Sequence, residues 1–161
     1  MKIHKKKLLI SAMKQSDKIN IILTDDDTDE FELFKDAFDN LKVECKLNYF
    51  HNGKELIDYM NSPDMEIPDI LFLDLNMPIM TGMECLREIR ADKRFKNLPI
   101  AIYSTSSSEK DQLETFTNGA NIYIKKPDNF DEMKRILGHV MKVSWQFHTS
   151  NLNMDTFILT I

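Results

Sequence analysis

The chain has 161 residues, 42% hydrophobic and 29% charged, with a formal net charge of −5. That is enough for one domain with a sizeable core and an ordinary composition for a soluble globular protein. The acidic balance argues against nucleic acid as a partner, and no run approaches the ~20 apolar residues of a membrane span.

The N-terminus, "MKIHKKKLLISAMKQ", has a basic start followed by Leu8-Leu9-Ile10. This imitates a signal peptide, but the apolar stretch is shorter than the usual ~7–15 residues. Residues 1–17 read as a disordered arm, with Met13 an alternative start. Cys45 and Cys85 have neither CxxC nor Cys/His metal spacing. They read as reduced thiols, which fits a cytoplasmic protein.

Five short apolar runs follow: Ile19–Leu23, Cys45–Phe50, Asp69–Leu73, Ile100–Tyr103 and Ile122–Ile124. The first, third and fourth are close to continuously apolar, as in strands covered on both faces of a parallel sheet. Between them lie helical spacings. Phe31, Phe34, Ala37, Phe38 and Leu41 mark the first helix, Leu56, Ile57 and Met60 the second, and Met83, Leu86 and Ile89 the third. Leu113 and Phe116 mark a weaker fourth, and Met133, Ile136, Leu137, Val140 and Met141 a fifth. Turn signals such as Asn52-Gly53, Met77-Pro78, Leu98-Pro99 and Asn118-Gly119 separate them. Strand and helix alternating five times predict an α/β domain over residues 18–143, with a parallel sheet and helices on both faces. The tail, residues 144–161, ends on the apolar segment Phe157–Ile161. With Trp145 and Phe147, it either packs on its own domain or covers a partner.

In open α/β sheets, ligands bind beyond the carboxyl ends of the strands, where the strand order reverses. The residues predicted at those ends are Asp25, Asp26 and Asp27 after the first run, Asp74 after "ILFL", Ser104 and Thr105 after "IAIY", and Lys125 and Lys126 after "IYI". Carboxylates, hydroxyls and an ammonium would converge on one edge. Mg²⁺ takes oxygen ligands, typically one or two carboxylates plus waters and a phosphate. A carboxylate can attack phosphorus to give an acyl phosphate. A metal, a lysine and a hydroxyl would then neutralise and bond the phosphoryl oxygens. On this logic Asp25 and Asp26 are a metal cradle and Asp74 is the group that accepts phosphate.

The pieces "ILTDDD", "DLNMPIMTG", "IYSTS" and "IYIKKP" stand in the order and spacing of the receiver domain of bacterial two-component response regulators, which the chain resembles over roughly residues 18 to 143. The resemblance implies a flavodoxin-like strand order, 2-1-3-4-5. It places Asp25, Asp26 and Asp74 on Mg²⁺, joined by the backbone carbonyl of Asn76. Asp74 would be the phosphoacceptor, Ser104 the switching hydroxyl, Lys126 the phosphate-contacting lysine and Tyr123 the aromatic that reorients on activation. Lys126-Pro127 would be a cis bond. The short arm, "LPIAIYSTSSSEKD" and the Trp after the last helix are similar to single-domain regulators that serve phytochrome-type kinases. Thr24, Thr28, Ser104 and Thr105 depart from the commoner residues of the family. Thr105 leaves the phosphate lifetime open.

The resemblance further implies a sensor histidine kinase or phosphotransfer protein as donor and a downstream protein as target. The chain would not be an enzyme beyond assisting its own phosphorylation and dephosphorylation. A homodimer stays open, as do the stimulus and the cognate kinase. Two other readings compete. One is an unphosphorylated receiver-like interaction module. The other is a haloacid-dehalogenase-type phosphatase, but Asp25 to Asp29 gives D-x-D-x-D and misses the final position of DxDx[TV]. Asp27 and Asp29 read as helix-capping acids, Lys125 as solvated, Ser106 to Ser108 as loop and cap residues, and the four histidines as surface residues without metal spacing.

Overall fold

The computed structural model describes residues 18–143 and 157–159. The N-terminal arm, Trp145 and Phe147 fall outside them. Five strands form one parallel sheet: β1 (Ile19–Thr24), β2 (Cys45–Phe50), β3 (Ile70–Leu73), β4 (Ile100–Ser104) and β5 (Ile122–Lys125). Their spatial order is β2-β1-β3-β4-β5, as the resemblance implied. The connecting helices are α1 (Thr28–Asn40), α2 (Gly53–Met60), α3 (Gly82–Ala91), α4 (Glu109–Thr117) and α5 (Phe130–Val143), with a short 3₁₀ turn at Lys93–Phe95.

Alternation along the strands divides the core into two layers. Ile21, Leu23, Phe72, Tyr103 and Ile124 face α1 and α5, where Phe34, Phe38, Met133, Leu137 and Val140 meet them. Ile22, Leu71, Leu73, Ile102 and Tyr123 face the opposite layer, built by Leu56, Met60, Leu86 and Ile89 of α2 and α3. The three central strands are buried on both sides, which is why their sequences are continuously apolar. Side chains set the helix starts. Asp27 accepts from the N–H of Asp29, Asn52 from that of Glu55 and Ser108 from that of Asp111, and Thr81 with Glu84 forms a full capping box.

Three features differ from the sequence expectation. Leu113 is 56% exposed, because α4 buries only Thr115 fully and turns Leu113 outward. Among the described residues there is no cis peptide, so Lys126–Pro127 is trans. Trans is the ordinary form, favoured by about 0.5–1 kcal/mol before proline. Asp69 precedes β3 instead of belonging to it. Its carboxylate accepts from the Asn20 N–H at 2.8 Å and its own N–H donates to the Asn20 carbonyl at 2.8 Å, closing the lower end of the sheet.

Both cysteines are free thiols. No helix among the described residues is long and apolar enough to cross a membrane.

Candidate functional site

β1 and β3 are neighbours although β2 lies between them in sequence, so the strand order reverses there. Thr24 pairs with Leu73, and the Asp74 N–H donates to the Thr24 carbonyl at 3.0 Å. That register sets Asp25 and Asp74 side by side as the two chains leave the sheet. Asp25 is fixed further by its N–H to the Phe50 carbonyl at 3.1 Å, and its own carbonyl accepts the Tyr49 hydroxyl at 2.6 Å. Gly82 shapes the loop beyond Asp74. A Cβ on Gly82 would lie 2.0 Å from the Asp74 carbonyl oxygen, so the chain can return this closely only at a glycine.

Asp25, Asp26 and Asp74 each offer a carboxylate oxygen within 4.8 Å of the others. Asp25 and Asp74 are buried and Asp26 is exposed. Lys126 reaches across from the end of β5. Its Nζ lies 2.7 Å from Asp25 Oδ2 and 3.8 Å from both Asp74 Oδ2 and Glu30 Oε1. The stem of Lys126 runs over the Tyr103 ring, with Nζ 5.6 Å from the ring centroid. Ser104 is fully buried at the end of β4, where its Oγ accepts the Ser106 N–H at 3.2 Å. Its carbonyl accepts the Lys126 N–H at 2.8 Å, which ties the β4 and β5 ends together. The exposed Asn76 donates its N–H to Asp74 Oδ1 at 3.4 Å. Tyr123 lies on the same side of the sheet, buried, with its hydroxyl donating to the Ser106 carbonyl at 2.8 Å. Asp25, Asp26, Asp74, Asn76, Ser104, Tyr123 and Lys126 therefore lie around this edge, whereas Lys125 is exposed, Asp27 caps α1 and Asp29 lies in its first turn.

The electrostatics are unbalanced. Burial raises the Asp74 carboxyl to about 6, with the charges of Asp25 and Asp26 adding to the rise against the opposing Lys126. Burial likewise raises Asp25, although Lys126 bonds it. For Lys126, burial disfavours the ammonium, but the hydrogen bond to Asp25 and the charges of Asp25, Asp74 and Glu30 outweigh it and hold its pKa up. One ammonium thus faces Asp25, Asp74 and Glu30, with Asp26 at the rim. Such a set of oxygen donors with surplus negative charge suits a hard divalent cation.

Glu30 is the acid that the strand-end reading passes over. It sits in the first turn of α1, its side chain only 16% exposed, and burial raises its pKa. The signal was its place in the first turn of a helix that starts four residues after β1 ends, which keeps it near the strand tips. Arg90 was also missed. Its guanidinium donates to the carbonyls of Phe95, Leu98 and Gly119 and to Asn121 Oδ1 at 2.7–2.9 Å, and so holds together the loops that enter β4 and β5.

Fold and site together define a doubly wound α/β domain whose switch point presents an acidic, lysine-bridged pocket. The chain belongs to the response regulator receiver domain family, whose pattern matches residues 21–138. Among curated proteins it is 27% identical over 132 residues to the probable methanogenesis regulatory protein FilR2 of Methanothrix harundinacea, covering 80% of this chain and 85% of that one. It is 28% identical to the chemotaxis protein CheY1 of Helicobacter pylori, over 68% of this chain and 86% of that one. Among solved structures, the phosphorylated cyanobacterial phytochrome response regulator RcpA aligns with a TM-score of 0.75 at 27% identity, over 83% of this chain and 98% of that one. The Mn²⁺-bound form of response regulator Rcp1 shares the fold, with a TM-score of 0.70 at 22% identity, over 84% of this chain and 99% of that one.

Proposed function

We propose that this chain is a phosphorylation-dependent switch, with residues 18–143 as its receiver domain and Asp74 as its phosphoacceptor. The observation that carries the reading is the convergence of Asp25, Asp26 and Asp74 within 4.8 Å beside the Lys126 ammonium. An Asp74 carboxylate oxygen attacks the phosphorus of a donor phosphohistidine. The new O–P bond forms as the P–N bond breaks, and the imidazole nitrogen keeps the electron pair and takes a proton. Asp25, Asp26, Asp74 and the Asn76 carbonyl would hold Mg²⁺, which when bound supplies charge neutralisation for the phosphoryl oxygens.

Lys126, now shared among three acids, turns toward the phosphoryl group. Ser104 Oγ is drawn toward it as well, and Tyr123 settles inward behind Ser104. The altered surface around α4, β5 and α5 then meets a downstream protein. Donors of the matching chemistry are a sensor histidine kinase or a phosphotransfer protein. A cytoplasmic site of action fits such donors.

Against the phosphatase alternative stands Asp27. Its exposed carboxylate caps α1 by accepting the Asp29 N–H, so the second acid of a D-x-D pair points away from the pocket. The test is uptake of labelled phosphate from acetyl phosphate with Mg²⁺. Wild type should label and Asp74→Asn should not. Equal labelling of the variant would overturn the assignment, and no labelling of wild type would favour the unphosphorylated module.

A further inference from the structure

β5 is the edge of the sheet, and its outer side is not left bare. Ile158 forms an isolated parallel bridge with Tyr123, and the Leu159 N–H donates to the Tyr123 carbonyl at 3.1 Å. Phe157 is completely buried. Its ring packs edge-on against Phe116 of α4, with centroids 5.2 Å apart, and against Tyr123, with centroids 6.2 Å apart. Phe157 and Ile158 join the core layer shared with α2 and α3, while Leu159 packs against the layer of α1 and α5. A three-residue segment from the end of the chain therefore straddles the sheet edge at Tyr123.

Contacts run on from there without a gap. The Tyr123 hydroxyl donates to the Ser106 carbonyl at 2.8 Å, and the Ser106 N–H donates to Ser104 Oγ at 3.2 Å. The Phe157 ring lies two hydrogen bonds and one ring contact away from the hydroxyl at the phosphoryl site.

We infer that Phe157 is a positioning residue for the phosphoryl site: seated on Tyr123 and Phe116, it holds the Tyr123 phenol inward against Ser106, and so favours the arrangement that phosphorylation selects. The steric reason is simple. Phe157 fills the space beside the buried ring of Tyr123, so an outward swing of Tyr123 must displace it. Docking of Phe157–Leu159 and inward Tyr123 are then one state, and a phosphoryl group that favours the same state is linked to the tail reciprocally. The inference rests on the proposed roles of Asp74, Ser104 and Tyr123.

The test uses the full chain labelled with 3-fluorotyrosine, which gives one ¹⁹F resonance for each of four tyrosines. Tyr123→Phe identifies the relevant one. Beryllium fluoride with Mg²⁺ serves as the phosphoryl mimic, and its affinity is measured for wild type, Phe157→Ala, Phe157→Leu and Leu159→Pro. Leu159→Pro removes the N–H to Tyr123 while keeping the Phe157 ring, so it does not depend on the core tolerating Phe157→Ala.

The inference expects Phe157→Ala and Leu159→Pro to shift the Tyr123 resonance before any mimic is added. It expects them to weaken beryllium fluoride on the order of fivefold or more, a typical size for such coupling. Phe157→Leu, which refills the space, should recover most of both. Unchanged affinity in both variants overturns the inference, even if the resonance moves, because Phe157 would then only fill the core. Failure of wild type to bind beryllium fluoride is a different result. It removes the phosphoacceptor reading itself, and the inference with it.

Discussion

On the proposed reading Asp74 and Lys126 decide the chemistry, and both carry consequences that thermodynamics can read. The Asp74 carboxyl is raised from 3.8 to about 6, so the native state holds its proton more tightly than the unfolded chain does. Its contribution to stability is present below about pH 4 and is lost as pH rises through about 6. A shift of roughly two pH units corresponds to about 3 kcal/mol at most. Metal-free protein should therefore lose stability across that window. Mg²⁺, which must displace the same proton, should bind more tightly as pH rises from 5 to 7 and level off above. Titration calorimetry at stepped pH checks this, and an affinity independent of pH would argue that Asp74 is not a ligand. Replacing Asp74 with Asn removes one of the crowded charges. The metal-free variant should be more stable than wild type by about 1–3 kcal/mol in urea at pH 7 while losing phosphate uptake. Lys126→Ala has the opposite sign. It leaves buried acids without their cation and should cost about 3 kcal/mol in the absence of metal, with Mg²⁺ restoring part of the loss. Chemical denaturation with and without Mg²⁺ measures both variants.

At the scale of elements, the site depends on how tightly two loops are drawn in. Gly82, the first residue of α3, lies against the Asp74 carbonyl, where a methyl group would overlap backbone. Gly82→Ala should destabilise the fold by about 1–3 kcal/mol and weaken Mg²⁺ binding as well, since the displaced atom belongs to Asp74, a proposed ligand. Urea midpoints and metal titration together separate the two effects. Legibility from sequence follows the same division. Runs such as Ile70–Leu73 and Ile100–Tyr103 announced themselves because full burial on both faces demands unbroken apolar sequence. Asp25, Asp74, Ser104 and Lys126 were legible because each lies within two residues of the end of an apolar run. Glu30 was hidden because a first-turn acid already has an ordinary role at a helix N-terminus. Arg90 was hidden because its partners are backbone carbonyls, which leave no mark in the sequence. The trans bond before Pro127 could not be read, since proline allows either isomer at small energy difference.

Across the whole molecule, the pocket, the sheet edge and the end of the chain form one connected structure. At the far end of that structure Phe157, Ile158 and Leu159 meet both core layers. That contact was not legible, because an apolar terminal segment does not name the surface that receives it. The acids gather where the strand order reverses, Lys126 arrives from the far edge strand, and Ser104 and Tyr123 lead outward toward α4. On the proposed reading, a signal entering at Asp74 has a short packed route toward α4.

On the proposed reading Asp74 forms the acyl phosphate, and reduction of that bond tests it directly. Treating the chain with acetyl phosphate and Mg²⁺, then with borohydride, reduces an aspartyl phosphate to homoserine, and peptide sequencing locates it. Homoserine is expected at position 74 alone, dependent on Mg²⁺. Homoserine at position 25, 26 or 27, with position 74 unmodified, would contradict it.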